Sequence, residues 1–286
     1  MTAPASSTAA DSARIHKIQR GCWIGYSQAV EIREELERLL AYPQINRMPN
    51  IALIGESNSG KSELLNNFYR RHEALPDPNA DLMHIPVLKI QAPNESRLES
   101  FYEEILAAIF LPPKLHSRES AAEQRRRIVA ALRSLGTKML VVDEAHSMMT
   151  GKKTQRLILN GIKYLANELK IPIVLAGTSD LLSLLNSDRQ LANRFIPVTL
   201  KDWSFGMELG SLLLTLENHI NLKHKSDLAS EPIQRQILAM SEGLLGEIID
   251  VVKLAAEVAI KSGKEKITVE SLRQLNFSPP SRRPRR

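Results

Sequence analysis

The residues Gly55-Glu56-Ser57-Asn58-Ser59-Gly60-Lys61-Ser62 fit the spacing G-x-x-x-x-G-K-[ST] at every position. The chemistry of that pattern is phosphate binding. Its glycines let the backbone wrap with N–H groups inward, Lys61 reaches the β- and γ-phosphates, and the Ser62 hydroxyl can ligate magnesium at a helix N-terminus. A second pair adds a second chemistry. Asp143 and Glu144 close the apolar run "MLVV", where one carboxylate can hold a magnesium shell and the next can polarise an attacking water. An acid directly after the magnesium aspartate suits hydrolysis, whereas a phosphotransferase must exclude water and bind an acceptor. Without the phosphate loop the same two acids would read as caps of the following helix. The string "DEAH" is also a helicase box, but such helicases carry two tandem motor cores and 286 residues are too few for both.

Two more residues extend the pattern. Thr178, in "LAGTSD", ends an apolar run and lies beside the γ-phosphate if the sheet order is the usual one. Arg194 comes immediately before the last such run, and Arg189 falls about a turn earlier in "LLSLLNSDRQLANRF", which reads as one helix. In a ring or filament of nucleotide hydrolases, an arginine there projects into the neighbour's site and stabilises transition-state charge. The plainer reading of each is a surface arginine.

These residues need a scaffold, and the chain encodes one. Five β-rich runs stand out: "NIALIG" from Asn50, "HIPVLKIQA" from His84, "KMLVVDEA" from Lys138, "IPIVLAGT" from Ile171 and "IPVTL" from Ile196. Near-continuous apolarity marks strands covered on both faces of a parallel sheet. Between them lie helical patterns; Ile128, Ala131, Leu132 and Leu135 repeat at i, i+3, i+4, i+7. Alternating strands and helices predict an α/β doubly wound core. After Asp202 only helical patterns remain, which predicts a small helical domain. The expected organisation is a flexible tail over 1–14, an α/β core over 15–204 with a helical lead-in, a helical lid over 205–276 and a basic flexible tail over 277–286.

Composition narrows the classes further. A hydrophobic content of 43% supports a sizeable core. No run reaches the roughly 20 apolar residues of a membrane span, so a cytoplasmic protein without membrane contact is expected. The single cysteine, Cys22, excludes an internal disulfide and a cysteine-rich metal site. A net charge of +6 is compatible with a polyanionic partner without requiring one.

Phosphate loop, Asp-Glu pair, polar end of the fourth strand, arginine before the fifth and helical lid together resemble an AAA+ ATPase. The blocks "RGCWIGYSQAVEIREELERLLAYPQINRMPNIALIGESNSGKS", "KMLVVDEAH", "LANELKIPIVLAGT", "DRQLANRFIPVTL" and "SEGLLGEI" resemble the TniB family of transposition proteins, related to TnsC and more distantly to MuB. The resemblance implies an ATP- and magnesium-dependent regulator of transposition. It would assemble as a homo-oligomer, ring or filament, on double-stranded DNA without sequence preference. It would recruit a DDE-type transposase, contact a TniQ-type target selector and disassemble on hydrolysis.

The resemblance also bears on individual residues. Trp23, Ile24 and Tyr26 fall where related ATPases close over the adenine ring; a hydrophobic staple holding the N-terminal helix is the alternative. Many relatives carry a sensor arginine after a lid glycine in the position of Gly246, but here Glu247 stands there. Backbone-tracking DNA contacts are expected from Arg97, Lys114, Ser117 and Arg118, with Lys152 and Lys153 able to serve either end. Arg125, Arg126 and Arg127 read better as a solvated helix face. An AAA+ helicase loader or replication-initiation ATPase shares every core motif and is the rival reading. A signalling ATPase would need appended domains.

Overall fold

The computed structural model describes residues 9–21, 23–76, 83–111, 119–148, 151–188 and 192–283. The chain forms two compact units, an α/β unit of residues 31–57 and 61–200 and a helical unit of residues 1–30, 58–60 and 201–286.

In chain order the first elements are helices α1 (Ala9–Arg20) and α2 (Ser27–Leu40), then strand β1 (Asn50–Ile54) and helix α3 (Lys61–Arg71). A short antiparallel hairpin follows, β2 (Leu75–Pro76) with β3 (Met83–His84), then β4 (Val87–Gln91). Helices α4 (Leu98–Ala108) and α5 (Ala121–Ser134) lead to β5 (Met139–Asp143), α6 (Lys152–Leu169), β6 (Ile173–Gly177), α7 (Ser179–Asn186) and β7 (Phe195–Thr199). The sheet runs β4-β5-β6-β1-β7 with every pairing parallel. β1, β5 and β6 are buried at every residue, as strands covered on both faces must be. β7 closes one edge, where Pro197 is tolerated because a missing N–H costs least on an edge strand.

The strand boundaries differ from the sequence expectation where proline intervenes. His84 pairs in the hairpin and β4 begins only after Pro86, while β6 begins after Pro172. Proline brings no N–H to a ladder, so pairing starts beyond it. The expected single helix through "LLSLLNSDRQLANRF" ends at Asn186, with Ser187 as its C-cap. The α/β core packs Phe101, Tyr102, Ile128, Leu132, Val142 and Leu175. α5 starts on a reciprocal capping box, Ser120 with Glu123.

The helical unit contains α1 and four later helices: α8 (Met207–Ile220), α9 (Glu231–Ser241), α10 (Leu245–Lys261) and α11 (Val269–Arg273), followed by a 3-10 turn over Pro280–Arg282. Its core gathers Leu213, Ile237, Ile248, Val251 and Ala256 with Ile15 and Ile18 of α1. The segment 1–14, expected to be a tail, is therefore helical from Ala9. Burial of Ile15 and Ile18 and a two-pronged ion pair, Arg14 to Glu265 at 2.6 and 2.9 Å, hold it. The segment from Phe277 is tied as well. Ser281 N–H donates to Glu242 Oε2 at 3.1 Å, and the Ser281 hydroxyl donates to Glu242 Oε1. No helix among the described residues is long and apolar enough to cross a membrane.

Candidate nucleotide site

β1 ends at Ile54 and the chain turns through Gly55–Gly60 into α3, so Lys61 and Ser62 sit at a helix N-terminus, where backbone N–H groups attract anions. Asn58 and Gly60 take φ of +64° and +96°, the left-handed conformations that turn successive N–H groups into one concavity. Lys61 is only 3% exposed, and its Nζ donates to the carbonyls of Gly55 and Glu56, both at 2.8 Å. Burial lowers the Lys61 pKa, against the opposing pull of Glu144, Asp143 and Glu56. Ser62, by contrast, is exposed.

Asp143 ends β5, buried, and its Oδ1 accepts the Glu144 N–H at 3.0 Å. Glu144 takes φ of +53°, a conformation that costs a non-glycine residue on the order of 1 kcal/mol and persists where surroundings over-determine it. The turn leaves its carboxylate partly exposed while Asp143 points inward. At the neighbouring strand end Thr178 follows β6, and its hydroxyl is buried without a hydrogen-bond partner. An orphan hydroxyl at that depth costs about 1–3 kcal/mol unless a ligand meets it. The α/β unit thus places Lys61, Asp143, Glu144 and Thr178 at the C-terminal ends of the adjacent strands β5, β6 and β1, where ligands bind in open parallel sheets.

Two residues here escaped the sequence reading. Lys89 of β4 places its Nζ 3.4 Å from Asp143 Oδ2, and His146 places Nε2 3.5 Å from Glu144 Oε2 while its Nδ1 is buried and unpaired. The signal for Lys89 was a lone cation inside an apolar strand run. His146 sits in "DEAH" with no spacing signal of its own, because only the turn after β5 brings it to Glu144.

Within the helical unit, Asn58 and Gly60 meet the start of α10. Gly246 N–H donates to the Asn58 carbonyl at 2.9 Å, and Asn58 Nδ2 donates to Glu247 Oε1 at 3.0 Å. A Cβ on Gly246 would lie 2.0 Å from Asn58 Oδ1, so any larger residue here would push the Asn58 amide from its present position. The Ser59 hydroxyl is buried without a partner. Tyr26 and Trp203 meet edge to face with ring centroids 5.1 Å apart. Together with Ile24 they border a cleft of about 220 Å3 that Trp23 does not line. Burial pushes the Tyr26 phenol up to about 12, so it stays neutral.

The remaining expected residues are more scattered. Arg194 lies in the turn before β7 and donates to Asn167 Oδ1 at 2.7 Å. Arg97 is the N-cap residue of α4, half exposed and 3.6 Å from Glu95. Arg189, Lys114, Ser117 and Arg118 lie outside the described residues, as do the side chains of Lys152 and Lys153. Of the three arginines read as a solvated face, Arg125 stacks over Tyr164 at 3.8 Å and Arg127 pairs with Glu119, while Arg126 is exposed.

The arrangement is similar to several solved structures. Cdc6p from Pyrobaculum aerophilum is 17% identical with a TM-score of 0.60, matching 88% of this chain and 67% of its own. The Aeropyrum pernix ORC1 protein, solved in complex with DNA, is 16% identical with a TM-score of 0.63, over 91% and 67%. The ORC2 protein of the same organism, solved in ADPNP-ADP complexes, is 16% identical with a TM-score of 0.60, over 86% and 65%. The chain thus spans about two thirds of the length of these proteins. No protein with curated function matches its sequence. Strand order, phosphate loop and these likenesses define an AAA+ ATPase fold. The model of the family described as "Bacterial TniB protein" matches residues 14–205, well over half of the chain. The chain belongs to the TniB family, which makes it a transposition-associated AAA+ ATPase.

Proposed function

We propose that this protein is a DNA-binding regulator of transposition whose assembly is controlled by ATP. The observation that carries the nucleotide half is the cluster of Lys61, Asp143, Glu144 and the unpartnered Thr178 hydroxyl at adjoining strand ends. Those groups suit a nucleoside triphosphate with magnesium. The concave loop Gly55-Glu56-Ser57-Asn58-Ser59-Gly60 would cradle the phosphates, Lys61 would pair with their charge, and Ser62 and Asp143 would hold the metal ion. Magnesium supplies neutralisation of the phosphate charge. Glu144 accepts a proton from the attacking water, and its partly exposed carboxylate leaves that water a path. Thr178 donates its hydroxyl toward the γ-phosphate and so distinguishes triphosphate from diphosphate. Ile24 and Tyr26 border a cleft of a size that suits a purine edge, with Trp23 outside its lining.

The transposition half rests on membership of the TniB family. In this reading the protein assembles on duplex DNA without reading sequence and recruits a DDE-type transposase under a TniQ-type selector. Hydrolysis then releases the assembly. Arg97 is the DNA-facing candidate among the described residues, and Arg194 is the finger offered to a neighbouring subunit. The likeness to replication initiators speaks to the fold alone, so the family match favours transposition over helicase loading. Electron microscopy and ATPase assays of the purified protein with random-sequence duplex DNA test this. Oligomers on DNA that require ATP, and turnover that DNA stimulates, are expected. Monomers on DNA at saturating ATP would sink the assembly reading.

A further inference from the structure

The carboxylate of Glu247 is buried directly behind the loop that is to receive polyphosphate. Its side chain is 5% exposed, and its Oε1 takes the Asn58 amide at 3.0 Å. An unpaired carboxylate in that position opposes any polyanion, because charges interact strongly through a water-poor interior. The chain answers it from far along the sequence. Arg283 donates Nη1 to Glu247 Oε1 at 2.8 Å and Nη2 to Oε2 at 2.5 Å, a fork-to-fork pair. Arg283 is fixed in turn by Nε donating to the Ser278 carbonyl at 2.9 Å and by the Phe277 ring, 5.2 Å away. The Ser281 contacts to Glu242 hold the same segment.

We infer that Arg283 is a positioning residue of the nucleotide site, which neutralises Glu247 and through it fixes the Asn58 corner of the phosphate loop. Three observations converge. Glu247 occupies the first turn of α10, on the side of the phosphate loop. The same turn is capped by the loop itself, through Gly246 N–H and the Asn58 carbonyl. Asp250, one turn on, has its pKa raised by burial first and by Glu247 next, with Lys253 and Arg283 pulling the other way. Arg283, Gly246 and Glu247 all lie beyond residue 205, outside the stretch that the family model matches.

The inference rests on the nucleotide reading, and equilibrium binding of ATP and ADP to the full chain separates the two. Wild-type protein that binds neither nucleotide sinks the nucleotide reading itself. If wild type binds, Arg283→Ala is expected to weaken ATP about tenfold and ADP less, since repulsion grows with phosphate charge. Arg283→Lys should recover most of the loss. The double variant Glu247→Gln/Arg283→Ala should return to within about threefold of wild type, because the oxygen that Asn58 needs is kept and no unpaired carboxylate remains. Equal weakening of ATP and ADP, a loss that persists in the double variant, or wild-type affinity in Arg283→Ala would each overturn the inference. Should Arg283→Ala fail to fold, Glu247→Gln keeps the oxygen that Asn58 needs but removes the charge. It should bind ATP at least as tightly as wild type, and weaker binding there would overturn the inference equally.

Discussion

Lys61 is held by the loop it serves, with both visible acceptors being loop carbonyls. Lys61→Ala is expected to abolish ATP binding in a filter or fluorescence assay while the sheet stays folded, because the ammonium contributes nothing to the hydrophobic core. Glu144→Gln removes the base but keeps shape and hydrogen-bond capacity. It should bind ATP with near wild-type affinity and hydrolyse it about 100-fold or more slowly, and normal turnover would remove Glu144 from that role. Thr178 offers an opposite trade. Thr178→Val removes a buried hydroxyl that has no partner, so the free protein should gain up to about 1 kcal/mol in urea unfolding while hydrolysis falls. The phosphate loop and the Asp143-Glu144 pair were legible because their chemistry is compressed into a few consecutive residues. Lys89 and His146 were not, since each matters only through a partner that strand pairing or a turn brings near.

Among the elements, what the sequence made legible and what it hid follow one physical rule. Strands covered on both faces write themselves as apolar runs, so β1, β5 and β6 could be read directly. Where proline withholds an N–H, the run and the ladder part company, as at Pro86 and Pro172. α1 was unreadable because two buried isoleucines in a small, polar stretch signal little, and its anchoring residue lies 251 positions away. That anchor carries a pH dependence. Arg14's hydrogen bonds hold the Glu265 carboxyl at about 2 rather than its ordinary 4.5. The folded chain therefore binds this proton more weakly than the unfolded chain. The pair's contribution is fully present above about pH 4.5 and is lost as pH falls from there to about 2. Glu265→Gln should lower stability by about 2 kcal/mol at neutral pH and flatten that acid limb, which urea titrations at pH 6 and pH 3 would read.

At the scale of the whole molecule, the proposed function asks for more than one copy. Arg194 has its own chain's Asn167 as partner, a contact a neighbouring nucleotide could replace. Arg194→Ala should therefore leave ATP binding by the isolated chain unchanged and remove at least tenfold of the turnover measured in DNA-bound assemblies. Full turnover in those assemblies would dismiss the finger. The fold was legible at this scale from alternating patterns, but the division of the chain was not. The helical unit draws on residues before the sheet, on three residues of the phosphate loop and on everything after 200.

That division has a practical reading. Ala9 and Arg283 are nearly the whole chain apart in sequence yet ride on the same helical unit. A fluorophore placed near either position would report the motion of that one body, and a pair of them would report almost none. An experiment that asks whether ATP changes the separation of the two units needs one label there and its second in the α/β unit, for instance in the exposed turn before α4.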